Sequence, residues 1–339
     1  MKKIIVTLLK FGISFGLIAY LIWNATQSSD KVDVFDNLRN QPKNWWMFAG
    51  AWAFCTVAVL LTFVRWWYLV RAIGIPCRFA DAFRISFWGF LFNLAPLGIV
   101  GGDLVKAVML AHEQRAYRAK AVASVLFDRV IGLYLLFVVA SVAILCTGLW
   151  RIDVPKIVWI CNATLIITIL GTVGIALMYV PGVLDGPLSR TLGRLPRVGP
   201  IITSLIEAVG LYRYKPVVLI VSSLMSIGVH CLFSIGIYLI ARGLPGGVLS
   251  LGTHFVVWPL SAAVGVLPLP FGPTEGVLDY LYMKIGVTIP NGQGLVVALC
   301  YRLITVLIAA LGVGYYFRNR REVSEAIHEN EQDSQPSKI

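Results

Sequence analysis

Six apolar stretches, residues 4–23, 46–64, 121–149, 157–180, 216–241 and 294–317, are each long enough to cross a bilayer as a helix, which takes about 20 residues. The third has length to spare for tilt or an interfacial turn. With 58% hydrophobic and only 14% charged residues, the chain has no polar skin for a soluble core of its size. The longest polar stretches, residues 24–44, 181–215 and 318–339, are too short or too interrupted to build a second core. The predicted fold class is an all-α polytopic membrane protein with about six transmembrane helices. One domain is expected over residues 1–320, followed by a short polar, disordered cytoplasmic tail over 321–339.

The basic residues orient this domain. The net charge of +12 would suit nucleic acid if it were gathered in one patch, but it lies between the apolar runs, where anionic headgroups attract it. Residues 1–10, 65–84, 101–120, 181–215 and 318–339 hold 20 Lys and Arg, against 7 in 24–44, 150–156, 242–252 and 268–293. Positive charge marks the cytoplasmic side, so both termini are expected there, in a cell membrane. The first apolar run lacks a small-residue cleavage pattern and ends in Trp23-Asn24-Ala25-Thr26, so an uncleaved helix is expected rather than a signal peptide.

Two further apolar stretches, about 83–100 and 253–287, are broken by Gly and Pro too often for simple spanning helices. The first contains Phe92-Asn93-Leu94-Ala95-Pro96-Leu97-Gly98-Ile99-Val100-Gly101-Gly102-Asp103. The second contains Leu267-Pro268-Leu269-Pro270-Phe271-Gly272-Pro273-Thr274-Glu275-Gly276. Basic segments flank the first on both sides, which predicts a re-entrant hairpin from the cytoplasm; the second would dip in from outside. In each, one carboxylate precedes an arginine in the next apolar helix: Asp103 to Arg129 spans 26 residues and Glu275 to Arg302 spans 27. Asp128 and Tyr301 immediately precede those arginines. This is a weak inverted pseudo-repeat, an arrangement in which broken helices place substrate sites near the midplane. An arginine offers planar donors suited to phosphate. An ionisable group inside a membrane costs at least about 2.5–3.5 kcal/mol, so a paired or functional role is its default. Neutralisation inside the bundle, and close helix packing at Gly101 and Gly102, are the plainer readings of the same residues.

Other signals carry less. Lys106, Arg115, Arg118 and Lys120 read as a basic stretch on an anionic leaflet or a solvated loop, and Trp45-Trp46 and Trp66-Trp67-Tyr68 as interfacial belts at the two ends of the second helix. The six cysteines show no metal or redox spacing, and five lie in apolar runs as small hydrophobes. His230 and His254 are lone histidines, and His112-Glu113 lacks the second histidine of a zinc-protease helix.

The motifs resemble a known family. Asn93-x-x-Pro96 through Gly101-Gly102-Asp103, then Asp128-Arg129, resemble the first signature of the lysylphosphatidylglycerol synthase transmembrane-region family. Pro268-x-Pro270-x-Gly272-x-x-Glu275, followed by Tyr301-Arg302, resembles the second, and the similarity runs from about residue 5 to 320. Asp128 stands where the family more often carries Glu, and Phe271 and Pro273 sit in a motif usually richer in glycine. The resemblance implies a flippase-like domain. In the family's best-known members it moves aminoacylated phosphatidylglycerol between leaflets and is followed by a soluble aminoacyl-transferase domain. Here the chain ends about twenty residues beyond its last apolar run, so lysyl transfer by this chain is not expected.

The expected function is lipid translocation, with Asn93, Pro96, Gly101, Gly102, Asp103, Asp128, Arg129, Pro268, Pro270, Gly272, Glu275, Tyr301 and Arg302 as the site. Arg129 and Arg302 would hold a headgroup phosphate, and Asp103, Asp128 and Glu275 would pair with them or with a cationic headgroup. The partners are membrane lipids with anionic phosphate headgroups, not nucleic acid; the oligomeric state is open. No nucleotide-binding loop, cofactor motif or metal set appears, and no catalytic constellation, so an enzyme is not expected. The alternatives are a non-transporting partner of a lipid-modifying enzyme and a membrane-embedded enzyme acting on lipids or glycolipids.

Overall fold

The computed structural model describes residues 2–26, 34–93, 98–178, 199–267, 269, 271–286 and 288–311. Twelve helices form among them, with no strand. In chain order they are α1 (Lys2–Thr26), α2 (Val34–Asn40), α3 (Trp45–Ala72), α4 (Phe79–Asn93), α5 (Gly98–Glu113) and α6 (Arg118–Thr147). They continue with α7 (Pro155–Met178), α8 (Gly199–Gly210), α9 (Pro216–Gly243), α10 (Leu251–Ala263), α11 (Pro273–Ile285) and α12 (Gln293–Leu311). Helices α3, α6, α7, α9 and α12 are long and apolar enough to cross a membrane. Trp159, Ile166, Ile169, Leu170 and Val173 on α7, and Leu303, Val306 and Leu307 on α12, turn outward and are largely exposed. In water such a surface would be untenable; against lipid tails it costs nothing. The protein is a multi-pass membrane protein.

Local chemistry sets several boundaries. Pro155, Pro216 and Pro273 open their helices, where a missing N–H removes no hydrogen bond. Gly148 closes α6 in the left-handed conformation (φ 72°), and Ser250 caps α10 by accepting from the Thr253 amide at 3.2 Å. α9 runs along α3 at short range, where a Cβ on Gly236 would come within 2.6 Å of Cys55 Sγ and one on Gly243 within 2.9 Å of Phe48.

The second apolar run differs from its expected bounds. The helix does not stop at residue 64 but continues to Ala72, which carries Arg65 and Trp66 inside it. Trp66 is fully buried and is no interfacial belt, whereas Trp45 and Trp46 at the other end are exposed. The stretch 181–215 also contains helix α8, whose Ala208 is buried. The expected tail, 321–339, lies outside the described residues.

Buried side chains gather in two clusters. One joins the first half of α3 to the second half of α6, the end of α9, and α10, α11 and α12. The other joins the second half of α3 to α4, α5, the first half of α6 and Ala208 of α8. α3 passes from one cluster to the other between Phe63 and Trp66, and Arg65 lies at that seam.

Candidate functional site

The two broken stretches each fold into a pair of short helices. In the first, α4 and α5 pack tightly because Gly89 faces Gly102: a Cβ on Gly102 would collide with the Gly89 carbonyl and the Asn93 side chain. Asn93 Oδ1 instead accepts the Gly102 N–H at 3.1 Å and ties the end of α4 to the start of α5. That contact supports the packing role for Gly102; Gly101, its neighbour on α5, is buried. Asp103 follows directly, and α6 packs on α5 so that Arg129 meets it. Both contacts of the pair, Nε to Oδ2 and Nη2 to Oδ1, measure 2.5 Å, a two-pronged fork. Pro96 lies outside the described residues.

The second stretch is α10, a 3-10 turn at Val264–Val266 and α11. Pro268 and Pro270 lie outside the described residues. Gly272 takes φ 105°, a conformation that favours glycine, and turns the chain into α11. Glu275 serves two groups at once. One oxygen accepts the Gly272 N–H at 2.9 Å, capping α11, and the other accepts Arg302 Nη2 at 2.6 Å and Nε at 3.1 Å. Arg302 comes from α12, whose start is capped by Asp279 accepting the Leu295 N–H at 3.0 Å. The guanidinium also lies 5.2 Å over the Phe271 ring. Tyr301, the residue before it, turns to the core and packs edge-on against Trp258 at 4.5 Å.

A third pair was not anticipated. Asp128 does not pair with Arg129 or Arg302. Its Oδ1 accepts Arg65 Nε at 2.8 Å, with the side chains only 6% (Arg65) and 8% (Asp128) exposed. Arg65 further donates to Ser226 Oγ on α9 at 2.7 Å and to the Asp128 carbonyl at 3.3 Å. Gly132, one turn on from Asp128, makes room: a Cβ there would stand 3.3 Å from the guanidinium. The charge count by segment places Arg65 in the cytoplasmic stretch 65–84. The cue against that assignment is the apolar Leu69-Val70 after it, which keeps the helix going.

These pairs surround one cavity of about 300 Å³. Asn93, Asp128, Arg129, Glu275, Tyr301 and Arg302 line it, as do Arg65, His230, Phe233 and Trp258. Asp103, Gly102 and Gly272 stand behind the wall, holding or shaping what faces the cavity. α5 touches the Val264–Val266 turn, which brings the two broken stretches together. Lys106 also reaches the cavity and is 7% exposed, with its ammonium over the rings of Trp66 (5.0 Å) and Phe63 (5.7 Å). It therefore lies within the protein and not on a leaflet surface; the apolar Ala107-Val108-Met109-Leu110 after it keeps that part of α5 packed inside.

The histidines sit in separate places. His230 contacts the Gly132 carbonyl at 2.9 Å beside the cavity, while His254 is buried against Tyr282 Oη at 2.5 Å and the Ser250 carbonyl at 2.8 Å. All six cysteines are free thiols.

No curated protein matches the chain. A family match does exist and spans both broken stretches and the three ion pairs around the cavity. Over residues 7–312 of its 339, the chain belongs to the family described as the Lysylphosphatidylglycerol synthase TM region.

Proposed function

We propose that this protein is a membrane lipid translocase, in which a lipid headgroup crosses through the cavity while its acyl chains stay in the bilayer. The observation that carries this reading is the convergence of three acid–arginine pairs, drawn from both broken stretches and from α3, on one cavity of about 300 Å³. That size is at the lower end for ligand pockets, which run from about 300 to 1,000 Å³, and suits a headgroup better than a whole lipid. Arg129 is 44% and Arg302 27% exposed, so both can reach a ligand, while Arg65 is sealed in. A phosphate approaching either arginine exchanges with the resident carboxylate, and the carboxylate's return releases it. The arginines thus bind without trapping.

The helices of the two broken stretches have 15, 16, 13 and 13 residues. At 1.5 Å per residue each covers about 20–24 Å, short of the roughly 30 Å hydrocarbon core. Two hairpins entering from opposite faces, related as an inverted repeat and meeting at the cavity, fit these lengths. The excess of Lys and Arg in alternate segments supports both termini in the cytoplasm and a place in the cell membrane. The role is transport rather than catalysis. The test is reconstitution into liposomes carrying fluorescent phospholipids, scored by bleaching of the outer leaflet. Transfer faster than in empty liposomes is expected; rates equal to theirs for every lipid would sink the translocase and favour a partner of a lipid-modifying enzyme.

A further inference from the structure

The charges around the cavity do not cancel. Arg65, Arg129 and Arg302 each have a carboxylate within 2.8 Å, on Asp128, Asp103 and Glu275 respectively. Lys106 is a fourth cation on the wall, and among the described residues it makes neither a salt bridge nor a hydrogen bond. Its ammonium stands over the ring faces of Trp66 and Phe63, and it feels the charges of Asp128 and Asp103 from beyond bonding distance, both of them already held by arginines. α4 presses on the lysine stem: a Cβ on Gly89 would lie 2.8 Å from Lys106 Cγ. Close by on the same wall, Ser86 of α4 is fully buried and its hydroxyl has no partner. Buried polar groups are normally satisfied, and an ammonium with no bonded partner beside an unpaired hydroxyl on one cavity wall is chemistry that suits an anion.

We infer that Lys106 and Ser86 form the anion-accepting part of the headgroup site, and that the cavity selects a phosphate-bearing lipid whose headgroup has net negative charge. The inference rests on the translocase reading. Three pairs are neutral as units, so the protein contributes one uncompensated positive charge. A phosphodiester without an amine neutralises it. While the phosphate rests on Lys106 and Ser86, before any exchange at the arginines, a zwitterionic headgroup's ammonium finds every cavity carboxylate still engaged, and an aminoacylated phosphatidylglycerol adds positive charge to the surplus. Lys106 is thus a specificity-determining residue, which sets this chain's substrate apart from the cationic lipid in its family's name.

The test uses the full chain in detergent, titrated with dioctanoyl forms of phosphatidylglycerol, phosphatidylethanolamine and lysylphosphatidylglycerol, beside leaflet transfer of the same headgroups in liposomes. Phosphatidylglycerol should bind roughly tenfold to a hundredfold tighter than the other two, the worth of one hydrogen bond to a charged group. Lys106→Met should bring the three to within about threefold of one another, and Lys106→Arg should keep the preference. Wild-type binding that is indifferent to headgroup charge, or that favours the zwitterionic or cationic lipid, overturns the inference even if no variant folds. A preference that survives Lys106→Met in a folded protein overturns it as well. Selective binding with no transfer of any lipid sustains the anion site and removes the translocase reading alone.

Discussion

Replacing Asp128 by alanine leaves the Arg65 guanidinium buried without its counter-charge. The pair is held by a 2.8 Å contact between side chains that are 6% and 8% exposed, so water cannot substitute for the lost carboxylate. Breaking a buried pair from one side costs about 3–5 kcal/mol. The bonds from Arg65 to Ser226 Oγ and to the carbonyl of residue 128 do not depend on the carboxylate, which puts the expected loss at the lower end, about 3 kcal/mol. Removing both charges is different. Arg65→Met with Asp128→Leu leaves no orphan ion, and such replacements are often neutral or stabilising. The double variant should therefore recover at least about 2 kcal/mol relative to Asp128→Ala. The assay is reversible unfolding of the purified protein in mixed micelles by increasing SDS, with wild type, Arg65→Met, Asp128→Leu and the double forming a cycle and Asp128→Ala measured beside them. A loss below about 1 kcal/mol for Asp128→Ala, or additive losses in the double variant, would refute the reasoning.

Three further outcomes follow from local geometry. Gly102→Ala should destabilise by about 1–3 kcal/mol, because its methyl would meet the Gly89 carbonyl and Asn93, and the same unfolding assay reads it; an unchanged midpoint would mean α4 and α5 are not so closely fitted. Gly272→Ala should cost on the order of 1–3 kcal/mol through its φ of 105°, and thermal denaturation of the variant beside wild type checks this. Cys77, in the link between α3 and α4, has its thiol pushed up from 9.0 to about 11, first by burial and then by Glu113 and Asp81. Raising the pKa favours the neutral thiol, so at pH 8 its thiolate fraction falls about a hundredfold. A water-soluble maleimide should label Cys77 slowly in the folded protein and at an ordinary rate once unfolded, and rapid labelling when folded would contradict its burial.

How legible the site was depended on how far each charge lay from its partner in sequence. Asp103 and Arg129 flank one helix-to-helix step, as do Glu275 and Arg302, and their matching separations of 26 and 27 residues announced both pairs. Arg65 and Asp128 are 63 residues apart, with a hairpin between them, and nothing local links the two. Asp128 instead has Arg129 as its neighbour, which drew the wrong pairing. On a helix adjacent residues point about 100° apart, so one can face α3 while the other faces Asp103. Lys106 and Arg65 misled in a shared way. Each sits in a charged-looking stretch beside aromatic or basic residues, and a charge count by segment treats such a residue as surface. The apolar residues that follow each, Leu69-Val70 and Ala107 to Leu110, were the evidence that the buried part of the helix extends past the charge. The helices were readable because bilayer thickness fixes their length, and the Gly and Pro of 92–103 and 267–276 marked where α4 gives way to α5 and where the chain turns into α11.

The most direct test of the central claim is leaflet transfer of fluorescent phosphatidylglycerol in liposomes containing wild type, Arg129→Ala or Arg302→Ala, each first shown to be folded by its melting transition. If a headgroup passes between the two exposed arginines, wild type transfers lipid and either single substitution abolishes transfer. Transfer at the wild-type rate in both variants would contradict the account, since the cavity would then play no part in moving lipid.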